Sequence, residues 1–413
     1  MIESLRPAAA RLDAWIEQEA LRGWDPYDAL NSPVLKRLTF GNRRLGQVWV
    51  QLLKRSPINL RPVLGVPKGY NPKGMGLFLA SCWRKYLLTG QEQHLERAQF
   101  CARWLEDNTS PGYSGSCWGY NFDWPNRGFF APAGMPTIVN TSFIGLAFLD
   151  LVNLTGHSEI QNPKSKIQNP LAVARSACDF IMNDLNLIEP APDEVCFSYT
   201  PLDRRYVHNA NVLGAQLLAE THAHTQERRL AEMALNAARY TARRQEPDGS
   251  WKYGEWGKDA WTDNFHTGFV LVALKRVGEA LKTDEFDDAV ARGYAYWKSH
   301  FFRSDGAPKY YHNKVYPIDV HSVAQAVLTF LAFADMDPEA ERLAARTAAW
   351  GVRHMQDPKG YFHFQIHRRH RIKIPYMRWS QAWMQRALAE LQYRCDVQGQ
   401  LYAAAHREKE LIR

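Results

Sequence analysis

No run in the 413 residues approaches the 18 or so consecutive apolar side chains of a membrane span. The opening Met1-Ile-Glu-Ser-Leu-Arg6 also lacks the charged-then-apolar order of a secretory leader. Cysteine is sparse: the six, at positions 82, 101, 117, 178, 196 and 395, form no Cys-x-x-Cys pair and no metal-ligand spacing. A disulfide framework and a zinc ribbon are thereby excluded, and the thiols are expected to be buried in a reducing compartment. Together these absences predict a cytoplasmic protein with no membrane span. Acidic side chains are the minority, 43 against 51 Lys and Arg, which leaves a formal charge of +8. That balance favours an acidic partner: an anionic glycan, a nucleic acid or a membrane surface.

What the chain does have is apolar residues (46%) and aromatics (12%, with 14 Trp and 18 Tyr), many of the latter in loops. It also repeats. The stretch Trp261-Thr-Asp-Asn-Phe-His-Thr-Gly-Phe-Val-Leu-Val-Ala-Leu274 opens polar and continues apolar nearly all round, the pattern of a buried helix whose start surfaces. Thr262 or Asp263 fits its N-cap. A polar residue five positions before a small or apolar one recurs at Asn71–Gly76, Asn140–Gly145, Asn209–Gly214, Asp263–Gly268, Asp319–Ala324 and Arg378–Trp383. Amphipathic stretches such as 226–244 and 338–355 lie between anchors. Six copies of loop, buried helix and amphipathic helix predict six helical hairpins. Closed into a ring they give an all-α, (α/α)6 toroid, with the six polar starts converging on one mouth.

The whole chain, 1–413, is expected to form one such domain. Residues 1–70 supply N-terminal outer helices and a connector, with the helix near 39–54 as the outer partner of the last inner helix. The hairpins occupy 71–392 and a helical tail 393–413. Residues 157–170, with the near-duplicate Ile160-Gln-Asn-Pro163 and Ile167-Gln-Asn-Pro170, are expected to be a passive surface insertion.

The segment Gln245-Glu-Pro-Asp-Gly-Ser-Trp251, with a looser copy at Gln356-Asp-Pro-Lys-Gly-Tyr-Phe362, resembles the repeat of the prenyltransferase and squalene-oxidase superfamily, whose members are α/α toroids. The Asp-x-Asp-Asp acid motif of its terpene cyclases is missing, and Asp284-Glu-Phe-Asp-Asp288 has the wrong spacing. Trp118-Gly-Tyr-Asn-Phe-Asp123, Asp263-Asn-Phe-His-Thr-Gly268 and Ile374-Pro-Tyr-Met-Arg-Trp-Ser-Gln-Ala-Trp383 resemble the inner-helix starts of six-hairpin glycosidase-like proteins encoded near polysaccharide-assembly genes. That resemblance covers most of 70–392 and implies work on carbohydrate, without a defined reaction.

His208, His266 and His321 each lie within three residues of an anchor on three consecutive hairpins. Histidine moves protons near neutral pH; the alternatives are helix capping or a metal, which no partner spacing supports. Asp123, Asp263 and Asp319 are the candidate acids. The last two double as N-caps, and Asp123, in an aromatic loop, is the best placed for a hydrolytic pair. Asn209 and Arg378 complete the catalytic set, Arg378 as a fork for a substrate carboxylate through two parallel hydrogen bonds. Trp118, Tyr120, Trp124, Arg127, Tyr206, Trp251, Tyr253, Glu255, Trp256, Tyr316, Tyr376 and Trp379 are candidate substrate contacts. The basic run His367-Arg-Arg-His-Arg-Ile-Lys373 is placed near the mouth as an attractor of acidic glycan. This kit suits proton abstraction beside a uronate carboxyl, by a lyase or an epimerase. Hydrolysis by a carboxylate pair, a terpenoid-cyclase relative and a non-catalytic glycan-binding toroid are the alternatives. The expected partner is an anionic oligosaccharide or polysaccharide rather than nucleic acid, with no metal and no cofactor.

Overall fold

The computed structural model describes residues 3–125, 130–155, 167 and 169–396. Arg127, most of the 157–170 insertion and the tail beyond 396 lie outside them. Three helices come first: α1 (Arg6–Gln18), α2 (Pro33–Leu38) and α3 (Arg43–Arg55). Then buried and amphipathic helices alternate. The pairs are α4 (Pro72–Thr89) with α5 (Glu92–Asp107), α6 (Ile138–Thr155) with α7 (Pro170–Asp184), and α8 (His208–Thr225) with α9 (Arg228–Ala242). After them come α10 (Asn264–Leu281) with α11 (Asp287–His300), and α12 (Val320–Ala332) with α13 (Ala340–Met355). The last helix, α14, opens as a π-helical turn, Met377–Ala382, and continues helical over 383–396.

The even-numbered helices from α4 to α14 pack each on the next, and α14 returns to α4, closing the inner ring. In α4 every side chain from Pro72 to Lys85 is buried, as expected of a helix packed on all sides. In α9, by contrast, the buried residues Leu230, Ala234, Ala237, Ala238, Tyr240 and Thr241 lie on one side. Five of the six anchors are followed, five positions on, by a small residue, Trp383 being the exception, and the small size has a physical reason. A Cβ on Gly145 would lie 2.7 Å from Leu217, and one on Gly268 2.7 Å from Thr329, so the inner helices touch there. The architecture is an (α/α)6 toroid.

Helix α1 takes the sixth outer place. Gln245 donates to the carbonyls of Gly249 and of Ala289 in α11, the next outer helix. Gln356 repeats the geometry, donating to the carbonyls of Gly360 and of Ala8 in α1. Gly249 and Gly360 sit at φ of +90° and +105°, and a Cβ there would meet the carbonyls of Arg292 and Arg11 at 2.8 and 2.3 Å. Only glycine fits both demands. The expectation that the helix near 39–54 would partner α14 is therefore corrected. That helix is α3, and its inner side, through Gln47, Val50 and Gln51, faces the mouth of the ring.

Three small antiparallel sheets trim the mouth: Trp124–Pro125 with Phe130–Ala131, Leu187–Ala191 with Glu194–Phe197, and Ile318–Asp319 with Gln365–Ile366 and Arg371–Ile372. The last of these carries the basic run on a hairpin, with Arg368 and Arg369 exposed.

Candidate active site

All six inner-helix starts reach one cavity of about 220 Å³, through Lys73, Val139, Asn209, His266, His321 and Arg378. Its walls are aromatic: Tyr27, Tyr120, Trp124, Tyr199, Tyr253, Trp261, Tyr310 and Trp379. The loop that carries Trp118 to Trp124 supplies one wall, and Tyr253 stacked on Trp261 at 4.4 Å supplies another. Phe269 forms its floor and packs with Phe143 and Trp383 beneath it in a triangle, with ring centroids 5.1, 5.2 and 5.5 Å apart.

His266 and Asp263 form the most ordered unit. Asp263 caps α10, accepting the His266 backbone N–H at 3.0 Å, and its other oxygen takes Trp261 Nε1 at 3.0 Å and His266 Nδ1 at 2.7 Å. An ionised carboxylate only accepts, so the Asp263 bond fixes the proton on Nδ1. Nε2 is then the lone-pair end of a ring that lines the cavity. The spacing of i and i+3, one turn apart, makes the pair possible.

His321 is a different kind of imidazole. It is buried between Phe265, stacked at 4.5 Å, and the indoles of Trp379 and Trp383, at 4.8 and 4.6 Å. Neither ring nitrogen has a hydrogen-bond partner among the described residues, and Asn209 Oδ1, in the same cavity, has none either. Unpaired buried polar atoms cost free energy, about 1–3 kcal/mol each, and such sites are where ligands bind. Burial first, then the charges of Lys73, Arg378 and His266, hold the His321 pKa well below the ordinary histidine value. A depressed histidine makes stability fall as pH drops below about 6.5, where the unfolded chain binds the proton and the folded one refuses it. His321→Phe, which suits the aromatic surroundings, should therefore unfold with less acid sensitivity than the parent. The gap should widen by up to about 1.4 kcal/mol per pH unit below pH 6.5 in denaturant titrations. A constant gap from pH 5 to pH 7 would mean that His321 already protonates normally in the fold.

The arginine fork is occupied by the protein itself. Arg378 donates through Nε and Nη2 to the two oxygens of Asp25, at 2.6 and 2.9 Å, and both side chains are buried. This corrects the expectation of a free clamp for a substrate carboxylate. Lys73, the second residue of α4, is the cation left without an acidic partner among the described residues. It is buried, makes no hydrogen bond or ion pair among the described residues, and lies over the aromatic triangle, 4.0 Å from the Phe143 centroid and 5.2 Å from Trp383. Burial, and next the Arg378 charge, push its pKa well below the ordinary lysine value.

Other predicted residues fall elsewhere. Asp123 is outside the cavity lining; it pairs with Lys36 at 2.7 Å and accepts the Ala133 N–H. Asp319 is spent on capping α12 and on accepting Gln365 and Trp379 N–H groups, although burial pushes its carboxyl up to about 6. His208 turns outward to Glu255 at 2.6 Å, away from His266. Trp118 and Trp251 are core: their indoles donate to the Leu105 and Thr241 carbonyls, at the ends of α5 and α9. Tyr376 is buried on Arg61. Tyr206, Trp256 and Tyr316 do not line the cavity, and neither does the 367–373 run. Asn209, Tyr120, Trp124, Tyr253, His266, His321, Arg378 and Trp379 do. Among the described residues no three His, Cys, Asp or Glu side chains come together as a metal set.

A second cavity, about 310 Å³, lies at the opposite end of the ring axis, lined by the later turns of the inner helices. Most of its charges are tied to one another. Arg84 binds Asp150 and Glu390, and Glu390 also takes Arg386 and Arg394, so the network joins α4, α6 and α14; Glu220 stands apart from it, accepting from the amides of Gln216 and Asn153, and burial raises its pKa.

No protein family matches the sequence, and no curated protein does. Solved structures do resemble it. The cellobiose 2-epimerase of Bacillus thermoamylovorans is similar at 11% identity and TM-score 0.61, over 80% of this chain and 90% of that one. The unsaturated glucuronyl hydrolase of Bacillus sp. GL1, responsible for glycosaminoglycan degradation, is similar at 14% identity and TM-score 0.61, over 95% and 97%. The GH76 α-mannanase of Bacteroides thetaiotaomicron is similar at 12% identity and TM-score 0.57, over 79% and 87%. At such identities the likeness shows the shared toroid fold.

Proposed function

We propose that the chain is a carbohydrate-active enzyme that moves a proton at the carbon beside a carbonyl or carboxyl of an anionic sugar, as an epimerase, isomerase or lyase. The observation that carries this is the content of the cavity: two imidazoles of different character and no usable carboxylate pair. Asp259, the one carboxylate in the lining among the described residues, is buried on Arg205, while Asp25 and Asp263 pair with Arg378 and His266. Glycoside hydrolysis needs two carboxyl groups facing one bond. In the proposed step His266 Nε2 takes the proton, with Asp263 stabilising the imidazolium. His321, kept neutral, donates a hydrogen bond to the oxygen that gains charge. Return of the proton from His266 to the other face, once the planar intermediate has turned over in the cavity, gives an epimer; loss of a β-leaving group instead gives an unsaturated product. The cavity is smaller than the roughly 300–1,000 Å³ of drug-sized sites, so it suits a single sugar unit or a chain end. The similar solved structures include a cellobiose 2-epimerase and a D-mannose isomerase, which agrees with this chemistry.

The test is incubation in D2O with a panel of free sugars, uronates and uronate oligosaccharides, read by NMR. Deuterium on the carbon beside the carbonyl or carboxyl, or an unsaturated uronate absorbance, is the expected result. New reducing ends without either signal would assign hydrolysis instead.

Lys73 carries the preference for a negative charge. A substrate carboxylate would supply the acidic partner that the described residues do not. Lys73→Met should raise KM for the carboxylate-bearing substrate about tenfold to hundredfold, the worth of a hydrogen bond to a charged group. It should leave thermal stability unreduced, because an unpaired buried ammonium is lost. Equal effects on charged and uncharged sugars would remove Lys73 from substrate recognition.

A further inference from the structure

The outer side of α3 and its flanking segments is the most unusual surface of the molecule. Among the described residues 17 large apolar side chains are exposed, and nine of them fall between Val34 and Val63. Phe40 and Val63 are 85% and 86% exposed. On α3 itself Leu45, Val48 and Leu52 share one solvent-facing stripe, while Val50 and Leu53 are buried on the other side. Scattered exposed apolar residues mean nothing, but a contiguous patch marks a contact surface.

The charges of the same stretch say what kind of contact. From residue 33 to 63 there are seven Lys or Arg and no Asp or Glu. Arg61 is buried on Asp28, and Lys54 lies over Tyr27, but Arg37, Arg44 and Arg55 are exposed beside the apolar stripe. We infer that this face docks on an anionic lipid bilayer surface. An amphipathic helix with a basic polar side lies in the plane of the interface, its apolar stripe at the headgroup–acyl boundary. Its arginines meet lipid phosphates there, each worth about a fivefold gain in binding. No described helix is long and apolar enough to cross a membrane, so the contact is peripheral.

A second copy of the chain fits the patch poorly. A two-fold dimer places the same surface on both subunits, which would set one acid-free, basic segment directly against another. Nucleic acid would use the arginines but not the aliphatic stripe. Because the inner side of α3 lines the mouth cavity through Gln47, Val50 and Gln51, docking would leave only this helix between the bilayer and the cavity. The inference does not depend on the reaction proposed above.

The full chain should be sedimented with vesicles of equal parts phosphatidylcholine and phosphatidylglycerol, and with phosphatidylcholine alone. Binding is expected to the anionic vesicles, to weaken with salt, and to be several-fold poorer on the neutral ones. Arg44→Glu/Arg55→Glu should lower it by at least about 25-fold, about fivefold for each cation removed. Val48→Asp/Leu52→Asp should abolish it. All these residues are at the surface, so the melting temperature should not move, and it is measured alongside. Equal binding to both vesicle types, or binding to neither, overturns the inference. So does a dimer, seen by sedimentation equilibrium, that Val48→Asp/Leu52→Asp dissolves, or oligonucleotide binding that survives that variant.

Discussion

His266→Ala is expected to lower turnover by about 10²- to 10⁴-fold, the usual worth of a positioned general base, with little change in melting temperature. The fold should survive because Asp263 keeps two of its three donors. The backbone N–H of residue 266 remains, and Trp261 Nε1 still binds. A second variant separates catalysis from capping. Asp263→Asn retains a good N-cap, but its amide can donate to His266 Nδ1 and so hold the ring in the other tautomer, with its proton towards the cavity. Turnover should then fall by orders of magnitude, as this tautomer cannot accept a proton at Nε2, while Trp261 Nε1–H, which loses its acceptor, should cost about 1–3 kcal/mol of stability. The readout is deuterium uptake per enzyme from D2O, with unfolding followed on the same preparations. Full activity in either variant would place the base elsewhere, with His321 the first alternative.

The ring was legible in the sequence because closing it imposes a repeat. The inner helices share a polar start and an apolar body, and all but the last have a small residue five positions on where they touch a neighbour; Asn71–Gly76 and Asp263–Gly268 show all three. The direction of individual side chains was less legible, because the anchors do not hold one place in the helix. Asn71, Asp263 and Asp319 are N-caps, whereas Asn209 and Arg378 lie two residues inside their helices. Each residue of offset turns a side chain by about 100°. That is how His208 came to face Glu255 while His266 faces the cavity. Asp123 was favoured for escaping the capping role, yet its loop places it on Lys36. Lys73 carried a signal that was available: a lysine at a helix start followed by ten uncharged residues, Gly74 to Trp83. Asp25 carried less. Its partner Arg378 is 353 positions away, and nothing local in a loop reports a contact of that range.

Removal of that partner is expected to be the most destabilising single change in the site. Asp25 and Arg378 are 5% and 3% exposed, and the two hydrogen bonds between them are parallel and short. In Asp25→Ala the guanidinium stays buried, with Tyr120 and Trp379 near it at 5.1 and 5.3 Å and no counter-charge in contact. An uncompensated charge of this kind costs about 3–5 kcal/mol. Arg378→Ala should cost a similar amount, since the Asp25 carboxylate loses both strong donors and keeps the Tyr27 N–H at 3.1 Å. The double variant Asp25→Leu/Arg378→Met distinguishes a pair from two independent anchors. If the two side chains act on each other, replacing both with apolar groups should cost far less than the sum of the single changes. Urea midpoints for the parent, Asp25→Leu, Arg378→Met and the double variant supply the cycle. Additive losses would mean that each residue is held by its other neighbours, and that the ion pair joining the 23–33 loop to the last inner helix contributes little to holding the mouth together.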